Sequence, residues 1–124
     1  MKLVSIVGFF NSFTVLILVI TGLLKVRPQF MARKTARIKK IITTAHSHAG
    51  RTILVTGPLH GYLALGGFGV HPGFGLYGLI VLNVAFIMLF KKTKKKVFFN
   101  LHKYFPLIIV IMLALHFLSM NDII

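Results

Sequence analysis

Residues 3–24 read LVSIVGFFNSFTVLILVITGLL, a run of 22 residues without a charged side chain. A helix of this length can cross a hydrocarbon core about 30 Å thick. The rest of the chain is similar, because 56% of its residues are hydrophobic and only 13% are charged. In a typical soluble domain, roughly a quarter of all residues are charged. We therefore expect an integral membrane protein.

Three further apolar tracts follow the first, and each is predicted to be a helix because unpaired backbone polar groups are costly in lipid. The predicted fold class is an all-α membrane protein, a bundle of four transmembrane helices in a single domain, residues 1–124. These helices cover residues 3–24, 41–66, 74–90 and 99–120. A cleaved signal peptide is the alternative for the first tract, but no small-x-small cleavage site follows it.

Positive charge is concentrated in the first and third connections between these helices. The connection at residues 66–73 and the tail after Met120 carry no Lys or Arg. Under the positive-inside rule, the two basic loops face the cytoplasm and both termini lie outside, in the cell membrane of a bacterium or an archaeon. The basic residues are Lys25, Arg27, Arg33, Lys34, Arg37, Lys39 and Lys40 in the first loop, and Lys91, Lys92, Lys94, Lys95 and Lys96 in the third.

Fifteen Lys and Arg residues face a single acidic one, Asp122, a balance that is also found in nucleic-acid-binding proteins. Basic residues beside membrane helices more simply set the topology and contact anionic lipid head groups. We therefore expect membrane lipid as a partner and no nucleic acid, while an acidic partner protein on the cytoplasmic face is compatible with the same charges. The chain has no Cys, which excludes disulfides, iron–sulfur clusters and thiolate zinc sites.

Four of the six histidines repeat one spacing: His46 and His60 are 14 residues apart, and so are His102 and His116. Fourteen helical steps return a side chain to within about 40° of its first direction, about 21 Å further along the axis. The second and fourth predicted helices both leave cytoplasmic loops and therefore run parallel. His46 and His102 are then at the inner depth, and His60 and His116 are at the outer depth.

Two depths with two imidazoles each predict two stacked, six-coordinate haem sites between the second and fourth helices. Haem iron takes two axial ligands, and neutral imidazoles serve as such ligands. The inner b-type haem would be bound by His46 and His102, and the outer one by His60 and His116. The alternative is that all four histidines form hydrogen bonds between helices and bind no metal.

This pattern resembles the four-helix, di-haem b-type membrane cytochromes, both the N-terminal bundle of the cytochrome b family and the membrane domains of ferric reductases and NADPH oxidases. The resemblance covers all four predicted helices and implies that Gly50 lets a porphyrin approach its helix. It also implies that Gly8 and Gly22, again 14 residues apart, lie against the haems. The chain carries neither the quinone-site motifs of the later cytochrome b helices nor a flavin domain. The matching motifs are His46-Ser-His-Ala-Gly50, Leu59-His60-Gly61, Leu101-His102-Lys103 and Leu115-His116.

Arg51 is the one charge well inside a predicted span, where an uncompensated guanidinium costs at least a few kcal/mol. We expect it to pair with a haem propionate, and Lys103 either does the same or extends to the membrane interface. His48 is expected to be solvated or close to a propionate, with exchange of His48 for His46 as ligand the alternative. His71 is expected at the surface, with proton exchange at a quinone site as the alternative.

Bis-imidazole haem has no open coordination position, so it carries single electrons. The predicted function is a membrane cytochrome b subunit that passes electrons between a docked redox partner and membrane quinone. It would be an electron-transfer subunit of an oxidoreductase complex rather than a stand-alone enzyme, and no catalytic residue is predicted. The alternatives are a haem-free anchor or scaffold subunit and a metal or proton transporter, although the predicted spans contain no acidic residue to assist transport.

Overall fold

A computed structural model describes residues 2–67 and 70–120, and every regular element in these two ranges is a helix. The all-α class is therefore confirmed for this part of the chain. Asp122, the predicted outer tail and residues 68–69 of the predicted outer loop lie outside it. The helices are α1 (Lys2–Val26), α2 (Pro28–Ala32), α3 (Ala36–Leu65), α4 (Pro72–Thr93), α5 (Lys96–Tyr104) and α6 (Pro106–Met120).

Within residues 2–67 and 70–120, three helical stretches are long and apolar enough to cross a membrane: Leu3–Val26, Pro72–Thr93 and Lys96–Ser119. The third combines α5 and α6, because Phe105 between them keeps the right-handed helical angles φ −58° and ψ −31°. The helix α3 has 30 residues and is also long enough, but its basic and polar residues make it less apolar than the other three. These features are those of an integral membrane protein, and a fourth span on α3 remains a prediction.

Two observed helices begin before the predicted spans, at their ends next to the basic connections. The helix α3 begins at Ala36 rather than at residue 41, and α5 begins at Lys96 rather than at residue 99. Lys and Arg are good helix formers, so the helix continues where the apolar run stops. The sequence prediction located the edge of the apolar run, which differs from the end of the helix.

Large apolar side chains lie mostly on the outside of the helices. Phe9 is 80% exposed, and Met88 and Leu107 are each 64% exposed. No described side chain is completely buried. Lipid acyl chains would cover this surface, which is far more apolar than the exterior of a soluble monomer. The buried hydrophobic residues are Val15, Ile42, Ala49, Ile53, Leu76, Ile80 and Ile109.

The chain divides into two compact units, of which the first ends at His60. Within this unit α1 and α3 are antiparallel, because positions later in α1 contact positions earlier in α3. Asn11 donates its side-chain N–H to the carbonyl of Thr56 at 3.0 Å, and Thr21, ten residues later, is in contact with His46. A buried amide that bonds a neighbouring helix stabilises helix pairing in lipid.

The second unit begins at Gly61, and in it α4 is antiparallel to α5 and α6. Near the end of α4, Phe90 packs against Phe99 of α5 with ring centroids 5.3 Å apart. Near the start of α4, Gly73 lies against His116 of α6. The helix α4 also contacts His102, whose Nδ1 is 2.9 Å from the Asn83 carbonyl oxygen, so it meets both histidines of the α5–α6 stretch.

Candidate functional site

His46 on α3 forms a hydrogen bond with α1. Its Nδ1 is 2.9 Å from the hydroxyl oxygen of Thr21. The same hydroxyl oxygen is 2.6 Å from the carbonyl oxygen of Ile17 in the preceding turn of α1. The His46 ring is half-buried, whereas His48, two residues later, is exposed. His46 therefore faces α1, while His48 lies at the surface.

The two histidines of α3 meet the two glycines that the sequence analysis selected on α1. A Cβ atom built on Gly8 would be 2.7 Å from Cε1 of His60, closer than real Cβ atoms come to a neighbour. A Cβ atom on Gly22 would be 3.4 Å from Cε1 of His46, an ordinary contact. The 14-residue interval between Gly8 and Gly22 on α1 thus matches the interval between His46 and His60 on α3. The His60 ring lies closer to Gly8 than the His46 ring lies to Gly22.

His102 and His116 both contact α4. Nδ1 of His102 is 2.9 Å from the backbone carbonyl oxygen of Asn83. A carbonyl oxygen only accepts, so Nδ1 of His102 carries the proton and Nε2 carries the ring lone pair. His116 of α6 lies beside the first turn of α4, since a Cβ built on Gly73 would be 3.1 Å from Cε1 of His116. Each predicted ligand is therefore in contact with a neighbouring helix of its own unit.

His71 has a structural role that the sequence analysis did not predict. It is the N-cap residue of α4, and its Nδ1 accepts a hydrogen bond from the backbone N–H of Gly73 at 3.1 Å. Its ring also meets the His116 ring edge to face, with centroids 5.6 Å apart. The following Pro72, in the first helical position, is the signal that indicates a helix start here.

The remaining predicted site residues are more open. A Cβ on Gly50 would have only Leu18 within 4 Å, at 3.8 Å, so this glycine leaves space beside α3. Arg51 is exposed and Lys103 is half-buried. No carboxylate side chain occurs in the described ranges to pair with either cation, because the only acidic residue is Asp122. Their predicted propionate contacts remain predictions.

Sequence reasoning missed three buried polar residues that contact the predicted ligands or hold their helices. Asn11 is 8% exposed, and Thr21 and Asn83 are each 9% exposed. All three interrupt apolar runs, and a polar group in such a run needs a hydrogen-bond partner in lipid. That interruption was the available signal for Asn11 and Thr21, whereas Asn83 contacts His102 through its backbone carbonyl, which no side chain marks.

Within the described ranges, no three His, Cys, Asp or Glu side chains cluster closely enough to hold a metal ion. A haem takes only two axial ligands from the protein, so the predicted haem pairs do not require such a cluster. Comparisons of the chain with models of known families, with curated proteins and with solved structures gave no match. The residue spacing and the contacts within each unit are therefore the features that point to a function.

Proposed function

We propose that this chain is a membrane cytochrome b subunit with two bis-histidine b haems. His46 and His102 are the ligands of the inner haem, and His60 and His116 are those of the outer haem. The subunit resembles the di-haem b-type cytochromes and has four membrane helices, with α3 as the second. The observation that supports this most is the matched spacing in the first unit, where His46 lies beside Gly22 and His60 lies beside Gly8 of α1.

The described residues fit a haem in two respects. Glycine allows close approach of a backbone to another group, and Gly8 leaves room beside α1 for the imidazole of the proposed ligand His60. Iron binds an imidazole nitrogen that carries a lone pair, and the Asn83 carbonyl leaves that lone pair on Nε2 of His102. Both features are properties of the protein chain itself.

When bound, the haems supply one-electron transfer, since two imidazoles leave no position for oxygen or another substrate. The chain orients the imidazoles through the contacts of α1 and α4 and excludes water with its apolar side chains. Arg51 and Lys103 are the cations available to hold propionates, and Gly50 leaves space beside α3.

The partners we propose are membrane lipid, a soluble or peripheral redox subunit and membrane quinone. Most of the basic residues of the first and third loops are exposed. A complementary acidic surface on a redox subunit would be attracted to this face and oriented by it. Electrons would pass between that subunit and quinone through the two haems.

The haem content of the purified protein tests this function. A pyridine haemochrome assay is expected to give about two b haems per chain. The variant His48→Ala is the matched control, because His48 is exposed and close to His46 in sequence, and it should keep both haems. A colourless protein after expression with ample haem would contradict the proposal and favour the haem-free anchor.

Cysteine labelling tests the topology, since the chain has no Cys of its own. Val70 and Lys95 are both exposed and lie at opposite ends of α4. A membrane-impermeant maleimide is expected to label Val70→Cys in intact cells, and Lys95→Cys only after the membrane is opened. The reverse pattern would show that the basic loops face outward.

A further inference from the structure

We infer that Thr21 is a positioning residue for His46: its hydroxyl keeps the imidazole proton on Nδ1 and leaves Nε2 to bind iron. This role rests on the proposed function. It concerns a residue of α1, a helix that supplies no proposed ligand. It also assigns a purpose to one of the buried hydroxyl groups of α1.

The direction of the hydrogen bond follows from the surroundings of the Thr21 hydroxyl. Its oxygen is 2.6 Å from the carbonyl oxygen of Ile17 and 3.3 Å from that of Leu18. Carbonyl oxygens only accept, so the single hydroxyl proton is directed to Ile17. The hydroxyl can then only accept from Nδ1 of His46, which is 2.9 Å away. His46 must therefore carry its proton on Nδ1.

The adjacent residue, Gly22, lies beside the same ring. A Cβ on Gly22 would be 3.4 Å from Cε1 and 3.9 Å from Nδ1 of His46. The ring of His46 therefore lies beside Gly22 while its Nδ1 is bonded to the Thr21 hydroxyl. Thr21 is β-branched and back-bonded to its own helix, so its hydroxyl has little freedom to turn away.

The other proposed inner ligand has the same proton arrangement, since Nδ1 of His102 donates to the Asn83 carbonyl. Ligating histidines usually donate their second ring N–H to such an acceptor, which fixes the tautomer and raises the basicity of the ligand. A backbone carbonyl cannot be removed by substitution. Thr21 is therefore the position at which this effect can be tested.

A more basic imidazole stabilises oxidised iron, so the hydrogen bond from His46 lowers the reduction potential of the inner haem. The variant Thr21→Val removes the hydroxyl that accepts from His46 Nδ1 and keeps the shape of the side chain. We expect one of the two haem potentials to rise by about 59 mV, a tenfold change in a one-electron equilibrium. The other potential should not change.

Two further variants separate this role from a packing role. Thr21→Ser keeps the hydroxyl and should restore the wild-type potential. Thr14→Val is the matched control, because Thr14 is 4% exposed and bonds the carbonyl of Phe10 at 2.9 Å in the same way. It should leave both potentials unchanged. Loss of one haem in Thr21→Val, restored in Thr21→Ser, would also support the inference.

A second measurement does not depend on haem. In haem-free protein from cells blocked in haem synthesis, ¹⁵N NMR of histidine should show His46 protonated on Nδ1, and this preference should be lost in Thr21→Val. If wild-type protein binds no haem, the proposed function fails, while this spectrum still decides whether Thr21 sets the tautomer. If two haems bind and Thr21→Val changes neither a potential nor the tautomer, the inference is overturned and the cytochrome function stands.

Discussion

Alanine in place of His60 or His116 is expected to halve the haem content, from about two haems per chain to about one. Each six-coordinate site needs both imidazoles, so the loss of either outer ligand empties the outer site. The inner ligands His46 and His102 lie about 21 Å earlier along their helices and are held by separate contacts with Thr21 and Asn83. A pyridine haemochrome assay on purified variants measures the change.

Double variants test the pairing of the ligands. If His60 and His116 share one haem, their double alanine variant should keep about one haem, like either single variant. The combination His60→Ala with His102→Ala should keep none, because it removes one ligand from each site. Effects within one site are not additive, whereas effects at separate sites are. Retention of both haems in either outer single variant would contradict the ligand assignment.

Gly8→Ala is expected to remove most of the outer haem, while Gly22→Ala should keep both haems. A new Cβ on Gly8 would be 2.7 Å from Cε1 of His60, so the ring must withdraw by about 0.7 Å to reach an ordinary contact of 3.4 Å. Binding sites tolerate displacements of only about 0.5 Å. At Gly22 the corresponding distance to His46 is already 3.4 Å.

The two glycine variants control for each other, because both place the same methyl group on the same helix. Alanine is a better helix former than glycine by about 1 kcal/mol, so a loss of haem would not come from a weaker helix. Haem content and the absorbance of each purified variant provide the comparison. An equal loss of haem in Gly22→Ala and Gly8→Ala would contradict the steric explanation.

For the second predicted span, amino-acid composition alone does not identify a membrane helix. The sequence predicts a membrane helix over 41–66, and the structure has a helix there, Ala36–Leu65. Yet α3 is not among the three stretches that are apolar enough to span by composition. The residues that reduce its apolar character include His46, Arg51 and His60, which are the proposed functional residues. A membrane helix that carries polar residues for a functional site has a less apolar composition than one that only contacts lipid and neighbouring helices.

The sequence by itself determined the membrane class, the helical content and the 14-residue intervals, because these depend on local composition and on the fixed period of the helix. Only the tertiary structure decided that Gly8 meets His60, that Thr21 contacts His46 and that His102 donates to Asn83. Such pairings depend on how each helix is rotated against its neighbour. That rotation results from the packing of many side chains, whereas spacing along a single helix specifies only which residues share a face.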